Sequence, residues 1–161
     1  MGISDHLSAA DVILDLDAAT KQDVLRLLSA KAAGRLGRPE REVLDAVSAR
    51  ERLGSTALGR GVALPHARLA GNSPPLALLA RLRRPVDFEA RDEEPVDLVI
   101  LVLWPEASPE GFLPALSGIV GALRDPRVPR LLRRARTPGE AAALLRGGAS
   151  PPAGTAEAPE A

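Results

Sequence analysis

The run VDLVILVLW, Val96 to Trp104, constrains this chain more than any other stretch. A strand with one wet face alternates apolar and polar side chains, because successive residues point to opposite sides of the sheet. Beyond Asp97 this run does not alternate, so both of its faces must be covered. That places it in the middle of a sheet with helices above and below. Its continuous apolar core, Leu98 to Trp104, is far shorter than the ~18 residues of a membrane-spanning helix, so no insertion into a membrane is expected.

The rest of the chain supplies the layers that such a strand requires. VILDL, Val12 to Leu16, reads as a strand after a short helical turn around Ser4 to Leu7. Thr20 is placed as a helix N-cap, with Leu25, Leu28, Ala32 and Leu36 at helical spacing and Gly37 as the stop. Pro39 suits the first position of a second helix that buries Val43, Leu44 and Val47 and ends near Leu53. STALGRG, Ser55 to Gly61, reads as a glycine-punctuated loop, and VALP, Val62 to Pro65, as a short buried strand ending where proline removes a backbone donor. NSPP marks a turn and Leu76 to Leu82 a strand, while PVDFEARDEEP carries the charge of an exposed connection. A loop, PEASPEG, then leads to a helix with Phe112, Leu116, Ile119, Val120 and Leu123 on its apolar face and Pro114 in its first turn. Val128 to Ala135 predicts a further helix, and Thr137, Pro138 and Glu140 open a last one that stops at Gly147 and Gly148. Strands and helices interleave, so the expected class is α/β: one domain over residues 1–147, a mixed β-sheet with helices on both faces, followed by a disordered tail over 148–161 that has no large apolar residue.

Composition removes several functions. With 21 Lys plus Arg against 21 Asp plus Glu, no net field draws the chain to nucleic acid or an anionic membrane. Two Phe, one Trp and no Tyr leave little on which bases or sugar rings can stack. The absence of cysteine excludes thiol catalysis, disulfides and cysteine metal sites, and no basic, apolar-cored leader opens the chain. A cytoplasmic location is expected, with no nucleic-acid partner and no cofactor.

What chemistry remains centres on His66, at the end of the expected strand, beside Pro65 and small Ala67. A neutral imidazole there can be a base, a ligand or a nucleophile. Zinc wants three or four ligands at ordered spacing, and the other histidine is His6 in a polar stretch, so no metal site is expected. No Gly-x-Ser-x-Gly elbow occurs, and a Walker-type Gly-Lys-Ser/Thr ending is missing. Just before His66 stand Ser55 and Thr56, Gly59 and Gly61, and Arg50 near a helix end. Hydroxyls, open backbone N–H groups and a guanidinium are what a phosphoryl group requires. The chemistry suggested is histidine as phosphoryl acceptor, with another protein as donor. The bland alternatives are a helix-end contact for Arg50, self-satisfied turn residues for Ser55 and Thr56, and a solvated or partner-facing side chain for Arg68.

SARERLGSTALGRGVALPHARLAG, Ser48 to Gly71, closely resembles the active-site region of the type-2 enzyme IIA domains of the bacterial phosphotransferase system, the mannitol and fructose class. PVDLVILVLWPE, and LSGIVGALRDP followed by LLRRA, resemble further stretches of these domains, so the likeness covers roughly Ile3 to Leu145. Within the family the chain is most similar to the stand-alone nitrogen-regulatory members, being one IIA-sized unit with no membrane or carrier domain attached. The resemblance implies an α/β sandwich in which His66 takes a phosphoryl group on Nε2 from a histidine-phosphorylated carrier protein. Arg50 is then the arginine beside the phosphohistidine, with Ser55 and Thr56 in the adjoining loop and Gly59 and Gly61 shaping it. The family usually has a second histidine where this chain has Phe112, which can neither donate to a phosphoryl oxygen nor carry charge; Phe112 and Arg68 then become candidates for a partner surface. Three functions follow as expectations: a phosphocarrier that regulates unidentified proteins, the IIA component of a fructose or mannitol transporter, and a regulatory module without phosphotransfer.

Overall fold

The computed structural model describes residues 7–147. The expected tail and most of the expected turn at Ser4 to Leu7 lie outside these residues; among the described residues the first regular element is a short 3₁₀ turn, Ala9–Asp11. Strands β1 (Val12–Leu16), β2 (Ala57–Gly59), β3 (Val62–Ala63), β4 (His66–Leu69), β5 (Leu76–Val86) and β6 (Val96–Pro105) form one sheet in the order β1-β5-β6-β3-β2, with β4 also paired to β6. The sheet is mixed: β6 runs antiparallel to β5 and parallel to β3 and β4.

The continuous apolar run does what its pattern demands. On β6, Leu98, Ile100 and Val102 join one core with Ile119, Leu132 and Leu145. Val99, Leu101 and Leu103 join the other, with Val24, Leu28, Val43 and Val47. Helices α1 (Lys21–Leu36) and α2 (Glu40–Arg52) therefore cover one face, and α3 (Phe112–Arg124), α4 (Arg127–Arg134) and α5 (Pro138–Gly147) the other. Thr20 caps α1 by accepting from the Asp23 amide at 3.1 Å, and Gly37 ends it in the left-handed conformation at φ 66°. Pro39 stands one place earlier than expected, as the extended N-cap of α2 rather than its first helical residue.

Three local expectations change. The supposed loop at Ser55 to Gly61 is half strand: β2 and β3 form a two-residue hairpin whose turn, Arg60 and Gly61, has φ 58° and 82°. Both central residues of such a turn must be left-handed, and an arginine in the first of them conceals the signal. The connection after Leu82 is not wholly exposed either: β5 continues through Pro85 to Val86, and Phe88 is completely buried. Third, the strand that was to end at Pro65 resumes. Pro65 has no N–H to give, but its carbonyl accepts from the Val102 amide at 3.0 Å, and β4 continues along β6 with His66 opposite Val102. His66 is thus the first residue of a strand held by the most buried element of the fold.

Candidate functional site

Partners on both sides fix the chemistry of the His66 ring. Its Nδ1 lies 2.8 Å from the Leu64 carbonyl oxygen, which can only accept, so Nδ1 carries the proton. Nε2 lies 3.3 Å from Nε of Arg50, which can only donate, so Nε2 carries the lone pair. Arg50 comes from the last turn of α2, and its Nη1 donates to the Gly54 carbonyl at 2.9 Å, just beyond the helix end. One guanidinium thus serves both the helix terminus and the imidazole.

Burial holds the His66 pKa below the ordinary 6.5, the Leu64 carbonyl opposes that, Arg50 lowers it further and Glu51 raises it. The net direction is downward, so the ring is neutral at pH 7. The sign of the linkage follows: the unfolded chain binds the proton first, so stability contributed by neutral His66 is present above pH 6.5 and is lost as pH falls through the depressed folded value. We expect ring-nitrogen NMR to give a titration midpoint for His66 below 6.5, moving upward in Arg50→Met as the nearby positive charge is removed. A midpoint above 6.5, or one indifferent to Arg50, contradicts this electrostatic account.

Nε2 belongs to an open cleft of about 760 Å³ lined by Arg50, Leu53, His66, Arg68, Glu106, Phe112 and Leu113, among others. Arg68, two residues along β4, shares the face of His66. The Phe112 ring stands edge-on to the imidazole, centroids 5.9 Å apart, and lies 5.7 Å from Trp104. Trp104 Nε1 in turn donates to the carbonyls of Ser108 at 3.0 Å and Glu110 at 3.2 Å, pinning the loop that delivers α3. Gly111 is required there, because φ is 90° and a Cβ would sit 3.1 Å from the indole. Leu53 is 85% exposed and Leu113 71%, an apolar rim on either side of the histidine. Leu53 enters the sequence reading only as a helix end, and Leu113 is not singled out there; an apolar residue at a helix terminus or in a first helical turn, off the periodic face, gives no signal of its own in sequence.

The remaining candidates turn elsewhere. Ser55 Oγ donates to the Phe88 carbonyl at 2.6 Å and accepts from the Ala57 amide at 3.2 Å. Thr56 is buried, with its hydroxyl on the Glu51 carboxylate. Both hydroxyls shape the loop and neither faces the cleft. Gly59 and Gly61 belong to the hairpin, whose Gly61 carbonyl accepts from the Asp97 amide at 3.0 Å. His66 pairs with Val102 farther along the same strand, a separation of about 16 Å at 3.3 Å per residue. Among the described residues no cluster of three or more His, Cys, Asp or Glu is arranged to hold a metal, and no helix is long and apolar enough to cross a membrane. The sequence did not reveal Lys21 and Glu51, a buried pair at 2.8 Å directly behind Arg50. Two polar helix positions become partners only when α1 and α2 pack.

Residues 5–147 match the family described as phosphoenolpyruvate-dependent sugar phosphotransferase system, EIIA 2. The chain is 42% identical to a nitrogen regulatory protein of Bradyrhizobium diazoefficiens over 84% of this chain and 89% of that protein. It is 38% identical to one of Pseudomonas aeruginosa, over 78% of this chain and 82% of the relative. Among solved structures, nitrogen regulatory protein IIA-Ntr from Neisseria meningitidis superposes with a TM-score of 0.84 at 31% identity, over 89% of this chain and 98% of that one.

Proposed function

The chain belongs to the EIIA type-2 family of the phosphoenolpyruvate-dependent sugar phosphotransferase system, and from that premise we propose that it is a cytoplasmic phosphocarrier of the nitrogen-regulatory kind. It accepts a phosphoryl group on His66 Nε2 from a histidine-phosphorylated carrier protein and changes its partners with its phosphorylation state. The observation that carries this reading is the imidazole held between an acceptor on Nδ1 and a guanidinium at Nε2, facing an open cleft.

The step balances without a proton relay. The Nε2 lone pair forms the new bond to phosphorus while the donor's phosphorus–nitrogen bond breaks, its electron pair returning to the donor ring, which departs as neutral imidazole if its other nitrogen is protonated. The positive charge thereby passes to the His66 ring, where Nδ1–H remains on the Leu64 carbonyl at 2.8 Å. Arg50, already 3.3 Å from Nε2, offsets charge on the transferring oxygens. The product adds close to two negative charges between Leu53 and Leu113, enough to rewrite which proteins dock there.

A second reading rests on the 33% identity, over 70% of this chain, to a fructose-specific EIIA component of Haloferax volcanii: phosphate passed onward to a IIB protein for sugar uptake. Incubation of the purified chain with phosphoenolpyruvate and the general phosphotransfer proteins tests both. Acid-labile phosphate that stays on the chain when fructose-type IIB is added supports the regulatory reading, and discharge to IIB supports the transporter reading. No incorporation at all overturns phosphotransfer and leaves a binding module, with Phe112 as its distinguishing residue.

A further inference from the structure

Behind the cleft lies a chain of contacts that the phosphotransfer chemistry does not itself require. Lys21 Nζ meets Glu51 Oε2 at 2.8 Å, and the same oxygen accepts from the Thr56 amide at 3.3 Å, while Oε1 accepts from the Thr56 hydroxyl. The Thr56 carbonyl accepts from the Leu64 amide at 3.0 Å, and the Leu64 carbonyl accepts from His66 Nδ1 at 2.8 Å. Glu51 is also the chain neighbour of Arg50, so the path closes on Nε2 through the guanidinium at 3.3 Å. Lys21, Glu51 and Thr56 are 6%, 8% and 5% exposed.

A buried ion pair is a poor way to gain stability, since removing two charges from water costs about what their attraction returns, and apolar replacements are often as stable. What such a pair does well is fix geometry. Glu51 holds both the hydroxyl and the amide of Thr56, so residue 56 has no freedom to tilt; the residue before β2 and the residue after β3 are tied by the Thr56 to Leu64 bond; and the Leu64 carbonyl is thereby aimed at the ring. In the other tautomer Nε2 would carry the proton and have no lone pair to offer. We propose that Lys21, Glu51 and Thr56 are positioning residues that hold the Leu64 carbonyl and the Arg50 side chain so that His66 keeps its proton on Nδ1 and its lone pair on Nε2. The proposal rests on the reading of His66 as phosphoryl acceptor, but its tautomer consequence is measurable without any phosphotransfer.

Thr56→Val removes the hydroxyl at nearly constant volume, and Thr56→Ser restores it. For Thr56→Val, long-range proton–nitrogen NMR is expected to show His66 as a mixture of tautomers, and the rate of phosphoryl acceptance is expected to fall about tenfold to a hundredfold. Thr56→Ser should return both to wild-type values, which a role confined to stability would not link. A folded Thr56→Val that retains the pure Nδ1–H tautomer and the wild-type rate overturns the proposal. Should Thr56→Val fail to fold, the double variant Lys21→Met with Glu51→Met decides by the same two readouts, since it removes every Glu51 bond to Thr56 without leaving an unpaired buried charge. If wild type accepts no phosphate, the functional reading fails while the tautomer of the variants still decides the clamp.

Discussion

His66→Ala is expected to take up no phosphoryl group from a histidine-phosphorylated donor, against stoichiometric labelling of wild type, while remaining folded. Acceptance needs a nitrogen lone pair at one place, and the other nitrogen-bearing side chains named at the cleft, Arg50 and Arg68, present N–H donors and no acceptor. Ser55 offers a hydroxyl, but it is turned into the Phe88 carbonyl at 2.6 Å. The His66 ring is half-buried at the rim of the sheet, so its loss should cost about 1 kcal/mol of stability, within the ordinary range for such a site. Residual acid-labile phosphate on His66→Ala would place the acceptor elsewhere and remove the basis of the functional reading.

Lys21→Met should be the most destabilising of the single changes considered, by about 3–5 kcal/mol in denaturant unfolding, with the midpoint falling and the slope unchanged. Lys21 Nζ sits between Glu51 at 2.8 Å and Glu89 at 3.0 Å, and 5.0 Å from the centroid of the Phe88 ring. The two carboxylates are not equal. The Glu89 side chain is 74% exposed and rehydrates when its partner leaves, whereas that of Glu51 is 5% exposed and is left as an uncompensated buried charge. Burial pushes the Lys21 pKa down, but the bonds to Glu51 and Glu89 outweigh it and hold the ammonium above its ordinary 10.5. Its contribution is therefore complete below pH 10.5 and is lost only as pH rises through that raised value. Adding Glu51→Gln to Lys21→Met should recover at least half of the loss, because an amide still serves the Thr56 hydroxyl and amide without a charge. A Lys21→Met protein within about 1 kcal/mol of wild type would show that Glu51 finds water or another cation and is not left as an unpaired buried charge.

Much of this was legible from residue order alone, for physical reasons that differ by element. β6 announced its place because an apolar run without alternation has one stable environment. α1 announced its ends because Thr20 and Gly37 answer specific needs of unpaired helix termini. The β2–β3 hairpin stayed hidden because Arg60, a residue with no preference for positive φ, occupies the turn at φ 58°. β5 outruns its expected end at Leu82 because the charge and prolines of the stretch that begins at Pro85 resemble those of a connection; in the structure Pro85 falls where the register with β6 shifts between Arg81 and Val86. At the site, Arg50, Arg68 and Phe112 converge on His66, since helix, strand and loop ends meet at one edge of the sheet. Ser55 and Thr56 are residue types that suit a phosphoryl site, yet their hydroxyls serve Phe88 and Glu51, a preference that only packing reveals.

The position of the phosphoryl group on the ring tests the central claim most directly. After phosphorylation of nitrogen-15-labelled protein by its donor, phosphorus–nitrogen coupling should connect the phosphoryl group to Nε2 of His66, with the proton still on Nδ1 against the Leu64 carbonyl. Phosphorus bonded to Nδ1, or to any residue other than His66, would contradict it.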